Sequence, residues 1–394
     1  MPLRVPTVWC SRRRAGSRST TSAKFRQPAC SAFQSARSPI RPRWLTLHSR
    51  WKPKAKRVAS EGATRVLEFL DAAPDQACSG AALSEHLGVS RAQIWKHVER
   101  LRGRGYTIDG EPGGGYLLTG RPDRLYSEEV QAGLTTKWMA REIHYFDETD
   151  STNRVAFDLA RQGAAHGTTV IAEGQTAGRG RLGRSFFSPK YLNIYTSIVL
   201  RPKLDTSQAP TLIPATGLAV SEAIARTVSD PKTVEIKWPN DVLVNGLKAC
   251  GTLMEMSAEA TQVDFAILGI GVNLNVERSD LPDEFRERAT SLRTHEGREI
   301  PRAEFARQLY TQLENVLDTH QSGGFPALKS RYEERFAMLG KQIRVSDMDG
   351  SQRVGLAHGI TADGALELDQ RSESGGEIVR VLAGDVTLVR PEDR

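Results

Sequence analysis

The stretch Glu173-Gly-Gln-Thr-Ala-Gly-Arg-Gly-Arg-Leu-Gly-Arg184 decides how this chain is read. It contains Gly178-x-Gly180-x-x-Gly183, the spacing of a dinucleotide-binding turn. In that fold the glycines open a helix whose N-terminus faces a pyrophosphate. Here they run into Ser185-Phe-Phe-Ser-Pro189 and then a strand pattern at 191–200, which sets the nicotinamide-enzyme reading aside. Three arginines remain, Arg179, Arg181 and Arg184, on glycines that let the backbone come close to a ligand. Guanidinium forks hold carboxylate and phosphate oxygens, so the loop suits a substrate carrying both. A solvated basic loop is the plainer alternative, and Gly/Arg alternation this dense between two strands weighs against it.

Outward from this loop, residues 124–340 alternate between helical and strand periods. Strands are expected at 142–146, 168–173, 191–200, 234–238, 242–244, 247–256 and 263–269. Helices are expected from Asp150/Ser151 to about 162, over 209–227, and from Pro301, at the first helical position, to 317. Asn245-Gly246 between two apolar runs is a strong hairpin signal. The pattern is α+β, a central mixed sheet backed by helices. Residues 341–394 carry short β runs separated by Asp349-Gly350, Asp363-Gly364 and Gly375-Gly376, the spacing of a small β-barrel.

Residues 59–123 read as a winged helix-turn-helix. Val66, Leu67, Phe69 and Leu70 line a first helix, and Ser79 caps a second that ends at Gly88. Ser90 and Gln93 form a capping box for a third. That helix puts Ile94, Val98 and Leu101 on one face and leaves Arg91, Gln93, Lys96, His97 and Arg100 outward, a face suited to a DNA major groove. A hairpin follows at 106–118. The bland alternative is a small helical domain with a solvated basic face.

The chain has 394 residues, 39% of them apolar, with a formal net charge of +7. That charge belongs to the N-terminus. Residues 1–60 hold 15 Lys and Arg with no Asp or Glu, leaving 39 basic against 47 acidic residues elsewhere. The Arg-, Ser- and Pro-rich segment 1–58 is expected to be a disordered basic tail. It fits a transit peptide, a nucleic-acid-binding arm or translated upstream sequence; the third is favoured because a DNA-binding module follows directly. No apolar run approaches the ~18 residues a membrane helix needs. Four scattered cysteines make neither a disulfide framework nor a zinc site and point to a reducing compartment.

Three further motifs carry chemistry. Lys237-Trp-Pro-Asn-Asp241 precedes the hairpin, and Lys248 lies two residues past its turn. Period-2 geometry places Lys248 on one strand face with Cys250, Thr252 and Met254. Asp241 beside Asn240 offers oxygen ligands to Mg²⁺. Asp150-Ser-Thr-Asn153 stands at a helix start, as caps or as ligand-binding groups. Gly269-Ile-Gly-Val-Asn273-Leu-Asn275 ends a strand where glycines admit a ligand near the backbone.

Together, in this order, these motifs resemble the biotin protein ligases, and with the winged helix in front, residues 61–390 resemble the bifunctional bacterial ligase and biotin-operon repressor. The resemblance implies a class II synthetase-like ligase fold with a C-terminal SH3-like barrel. It implies a cytoplasmic enzyme that uses biotin, ATP and Mg²⁺ to form biotinyl-5′-AMP and then acylates a lysine of biotin carboxyl carrier protein. By the same resemblance Lys248 and Arg181 are catalytic. Ser151, Thr152, Asn153, Gln175, Arg179, Gly180, Arg181 and Lys248 bind biotin. Arg184, Phe186, Lys237, Asn240, Gly251 and Asn273 bind ATP or the adenylate, and Asp241 binds the metal. A loop at about 276–292 covers the adenylate. Ser90, Arg91, Gln93, Lys96 and His97 meet operator DNA, and the adenylate-bound chain forms a homodimer. The alternatives are a lipoate- or octanoate-type ligase, which lacks this arginine-glycine loop, and a biotin-sensing repressor without ligase activity.

Overall fold

A computed structural model describes residues 61–111, 114–347, 350–371 and 377–389. The tail at 1–58, Asp349, the Gly375-Gly376 turn and Arg390 lie outside the described residues.

The winged helix forms as its sequence dictates. It comprises α1 (Glu61–Asp71), α2 (Gly80–Leu87), α3 (Arg91–Arg102) and the antiparallel hairpin of β1 (Thr107–Glu111) and β2 (Gly115–Gly120). Ser79 Oγ accepts from Ala82 N at 3.0 Å, which satisfies an orphan donor of α2. Gly88 closes that helix at φ +69°, a conformation other residues rarely adopt. Ser90 and Gln93 make the capping box reciprocally, at 3.3 and 3.0 Å. Ile94, Val98 and Leu101 are fully buried against Val66, Leu83 and Tyr106.

The connector leads to α4 (Ser127–Gln131), β3 (Ile143–Phe146), α5 (Thr152–Arg161), β4 (Thr169–Ala172), β5 (Ile194–Leu200) and α6 (Leu212–Ala225). Next come β6 (Val234–Lys237), β7 (Asp241–Val244), β8 (Leu247–Glu259) and β9 (Gln262–Val272), then α7 (Asp283–Arg286), α8 (Leu292–Glu296), α9 (Arg302–Gly323) and α10 (Lys329–Glu333). Pro301 is the N-cap of α9 rather than its first helical residue. The seven strands form one sheet in the order β3-β4-β5-β9-β8-β7-β6, parallel only between β3 and β4. Asn245 and Gly246, at φ +49° and +76°, turn β7 into β8 as the hairpin signal requires.

One face of this sheet is covered by α6 and α9, where Ile198, Leu268, Ile270, Val242 and Cys250 meet Leu218, Leu309 and Leu313. The other face carries α5, whose Val155 and Ala156 pack on Val170, Val199 and Ile267. At the start of α5 that face carries Ser197, Gly269 and Gly271. The remaining strands, β10 (Gln342–Ser346), β11 (Gln352–Ile360), β12 (Leu366–Asp369), β13 (Ile378–Val381) and β14 (Asp385–Leu388), make a five-stranded antiparallel sheet in the order β13-β12-β11-β10-β14. Its turn at Gly364 docks on the central domain, where Gly364 O accepts from the buried indole of Trp238 at 3.0 Å.

Candidate active site

Alternation along a strand sends successive side chains to opposite faces. With Ile198, Leu268 and Ile270 in the core beside α6, the face beside α5 receives Ser197 from β5 and Gly269 and Gly271 from β9. Asn153, in the first turn of α5, lies against Gly269 so closely that a β-carbon there would collide with its carboxamide. Asn153 Oδ1 accepts from Ser197 Oγ at 2.7 Å, and its Nδ2 donates to Glu255 Oε2 at 2.9 Å. Thr152 N and Oγ1 both donate to Gln175 Oε1, at 2.9 and 3.1 Å. Gln175 Nε2 donates in turn to Ser188 Oγ at 3.1 Å. Thr152, Asn153 and Gln175 therefore come together, as expected. Ser151 occupies the N-cap of α5 but its side chain makes no cap hydrogen bond; Gln175 satisfies the helix end instead.

The arginine-glycine loop folds into a small hairpin of its own. Gly180 N donates to Arg184 O at 2.8 Å and Phe186 N to Gly178 O at 2.9 Å. A β-carbon on Gly178 would stand 2.6 Å from Phe186 O and 2.7 Å from Ser188 Oγ, so only glycine fits. The Phe186 ring packs on the sheet's glycines, 2.5 Å from an ideal β-carbon on Gly271 and 3.3 Å from one on Gly251. Arg181 reaches inward, donating to Asn240 Oδ1 at 2.9 Å and Gly384 O at 3.2 Å. Burial lowers its pKa, which Asp385 and Asp241 partly offset. Arg184 turns outward and pairs with Asp385 at 2.5 Å. Arg179 is exposed, and its backbone bridges Ser185.

Lys248 does reach the site, but not by the expected route. The ladder between β7 and β8 shifts register, with Val242 opposite Cys250 and Leu243 opposite Lys248. The extra residue, Ala249, is buried in the core beside Cys250. This bulge reverses the side-chain parity of the strand. Lys248 therefore does not share a face with Cys250, Thr252 and Met254. Its Nζ instead lies 3.2 Å from an ideal β-carbon on Gly251, on the open face, and 2.7 Å from Asp241 Oδ1. Cys250 is sealed off, and burial raises its thiol pKa. Asp241 stands opposite both Lys237 and Gly251 in the ladders, which brings Lys237 to the same end of the site. Asn240 Nδ2 is held by Thr252 O at 2.8 Å.

Asn273 is engaged with Thr290 O at 3.1 Å. The 276–292 segment pairs with Lys248 itself, since Lys248 N donates to Arg288 O and Thr290 N to Lys248 O, both at 2.9 Å. Sequence reasoning missed Ser197, Glu255, Ser188 and Asp385. Ser197 alone carried a signal, a polar residue inside the apolar run Ile194–Leu200.

On the winged helix, Arg91, Gln93, Lys96 and Arg100 are exposed on α3, with Trp95 among them at 55% exposure. His97 departs from the outward set. It is half-buried, its ring 2.5 Å from an ideal β-carbon on Gly62, and burial with the nearby Arg100 lowers its pKa.

A winged helix followed by a mixed-sheet domain, whose glycine-floored face carries Arg181, Lys237 and Lys248, defines a two-part protein, a helix-turn-helix module joined to a domain with a cationic site. Comparison with known proteins agrees. Residues 145–273 match the biotin/lipoate A/B protein ligase family, 63–117 an HTH domain and 338–389 the biotin protein ligase C terminal domain. The chain is 34% identical to the bifunctional ligase/repressor BirA of Bacillus subtilis over 82% of this chain and 97% of that one. It is 34% identical to the biotin–[acetyl-CoA-carboxylase] ligase of Mycobacterium tuberculosis over 66% of this chain and 92% of that one. A structure of biotin protein ligase from Aquifex aeolicus with biotin and ATP aligns with a TM-score of 0.54 and 29% identity, covering 64% of this chain and 99% of that one. The chain belongs to the bifunctional ligase/repressor family of biotin protein ligases.

Proposed function

We infer that this chain is an ATP-dependent biotin protein ligase that also binds DNA as a repressor. The observation that carries the ligase reading is the bulge at Ala249, which brings Lys248 to Gly251 on the face shared with Asn153 and the arginine loop.

The chemistry needs two anions brought together, the biotin carboxylate and the α-phosphate of ATP. Lys248 bridges them. The carboxylate oxygen attacks phosphorus, pyrophosphate leaves, and a mixed anhydride forms. The transition state gathers negative charge, which fixed cations stabilise. Lys237 and Arg184 hold phosphate oxygens, with Arg184 released from Asp385. Asn240, Asn273 and Gly251 line the nucleotide site, and Phe186 stacks over it. Arg181, tied to Asn240 and Gly384, closes the loop and keeps water from the anhydride. A carrier lysine then attacks the anhydride carbonyl carbon, forming an amide and expelling AMP. The neutral ureido ring of biotin lies among Ser151, Thr152, Asn153, Gln175, Arg179 and the backbone of Gly180.

Mg²⁺ is expected with ATP. Asp241 is already paired with Lys248, and no group of three His, Cys, Asp or Glu gathers among the described residues. That donor set suits a cation carried by the nucleotide, with Asp241 as one ligand, neutralising phosphate charge.

For DNA, α3 offers Ser90, Arg91, Gln93 and Lys96, with His97 at the edge of the surface. The active repressor is an adenylate-bound homodimer presenting two such helices to a two-fold operator. The domains run 59–123, 124–340 and 341–394, and the compartment is the cytoplasm; no helix among the described residues is long and apolar enough to cross a membrane. Pyrophosphate release with ATP tests the reading. Biotin supports it; release with lipoate and none with biotin points to the lipoate-type alternative, and none with either to a sensor without ligase activity.

A further inference from the structure

Glu173 is fully buried at the end of β4, two residues before Gln175. Four successive residues of the connector from the winged helix, 123–126, each dock on Glu173 or on a residue bonded to it. Asp123 accepts from Arg302 Nε at 2.8 Å, and Arg302 Nη1 donates to Glu173 Oε2 at 2.7 Å. The Arg124 guanidinium lies over the Tyr191 ring at 3.7 Å, and Tyr191 N donates to Glu173 O at 3.1 Å. Leu125 N donates directly to Glu173 Oε1 at 2.8 Å. Tyr126 meets the Tyr145 ring edge-on, with centroids 5.0 Å apart, and Tyr145 OH donates to Glu173 Oε1 at 3.4 Å.

The far side of this cluster is the winged helix itself. Arg104, just past α3, stacks on Tyr126 at 3.7 Å and pairs with Glu128. Tyr106 OH and Arg121 both bond the buried Glu129 carboxylate, at 2.7 and 2.6 Å. The near side is the ligand pocket. Gly174 O accepts from Thr149 N at 3.2 Å, and Gln175 holds the two donors of Thr152.

We propose that Glu173 is a positioning residue that makes the winged-helix connector part of the wall of the ligand pocket. Its carboxylate fixes residues 123–126, and its backbone sets Gln175 against Thr152. Loosening the connector then weakens ligand capture at Gln175 and Thr152 and leaves acyl activation at Lys248 unchanged, because Lys248 is held on β8 by other groups, Asp241 and the backbone of Arg288 and Thr290. Ligand binding in turn steadies the connector. The inference rests on the biotin-ligase reading above.

The test uses the full chain, with biotin and ATP as probes. Asp123→Asn weakens the clamp at its half-exposed outer end, where Asp123 pairs with Arg302, and Glu173→Gln removes the central charge. Both are expected to raise the biotin KM by about 3- to 30-fold, the range of couplings carried through packed networks, with kcat unchanged. Hydrogen exchange at the Leu125 and Tyr126 amides is expected to slow on adding biotin to the wild type and not to slow in Glu173→Gln. Should Glu173→Gln not fold, Asp123→Asn carries the test. A merely structural clamp lowers Tm and leaves the biotin KM and the ligand-dependent exchange at wild-type values, which overturns this inference alone. A wild-type chain that neither binds nor turns over biotin overturns the ligase reading and this inference together.

Discussion

The carboxamide of Asn153 occupies the space that a β-carbon on Gly269 would need. A helix start and a strand end thus define each other, and Ser197 and Glu255 hold the amide in place. Gly269→Ala is expected to push Asn153 off both partners. Losing one or two such hydrogen bonds costs about 1–3 kcal/mol, so biotin affinity measured by titration calorimetry should fall about 5- to 150-fold. Unchanged affinity would remove Asn153 from the biotin site.

Lys248 is about one-third exposed and its partner Asp241 faces the same site. Lys248→Ala should therefore keep the fold, with an unchanged far-UV spectrum. Loss of a donor aimed at developing charge typically costs about 10²- to 10³-fold in rate, and pyrophosphate release should fall by that much. Wild-type rates would discredit the bridging role.

Arg184 and Asp385 form an exposed pair, the arginine side chain 65% accessible. Such pairs contribute at most about 1 kcal/mol. Asp385→Asn frees Arg184 for phosphate and is expected to lower the ATP KM by up to about fivefold at low salt. The gain should fade at high salt, where exposed charges are screened. A raised KM would show that Asp385 helps rather than competes.

His320 is buried on α9 with its Nε2 2.7 Å from Thr211 Oγ1, and burial holds its pKa below the ordinary histidine value. The unfolded chain then takes up a proton that the folded chain resists, so this group makes stability fall as pH drops through about 6.5 and below. The slope is at most about 1.4 kcal/mol per pH unit for one proton. Denaturant midpoints at pH 7.5 and 5.5 should differ less in His320→Gln than in the wild type. An equal difference would mean that His320 binds the same number of protons in the folded and unfolded states over this range and contributes nothing to the slope.

Much of this was legible because the deciding contacts are local. Ser79, Ser90 with Gln93, and Asn245-Gly246 sit within a few residues of the groups they bond, and Ile94, Val98 and Leu101 follow the helical period. The arginine loop was legible for the opposite reason, since its residues fit neither a helix start nor a plain turn. What escaped depends on partners far along the chain. The β-bulge that redirects Lys248 is a property of the β7–β8 ladder, invisible to a strict period of two. Arg302 reads as an ordinary residue in the first turn of a helix, yet it is fully buried against Glu173, 129 positions earlier. Asp385 and Gly384 meet the arginine loop across about half the chain. His97 lay on the outward arc of α3 by period, but α1 packs against it.

In the proposed mechanism, cations from the arginine loop and β8 bring the biotin carboxylate to the α-phosphate of ATP for transfer to a lysine. Mass spectrometry of a biotin carboxyl carrier fragment, after incubation with this chain, ATP and biotin, tests it most directly. A biotinyl group in amide linkage to one lysine of the fragment is expected, and none when Lys248→Ala replaces the wild type. An unmodified fragment with the wild type, or equal modification with Lys248→Ala, would contradict it.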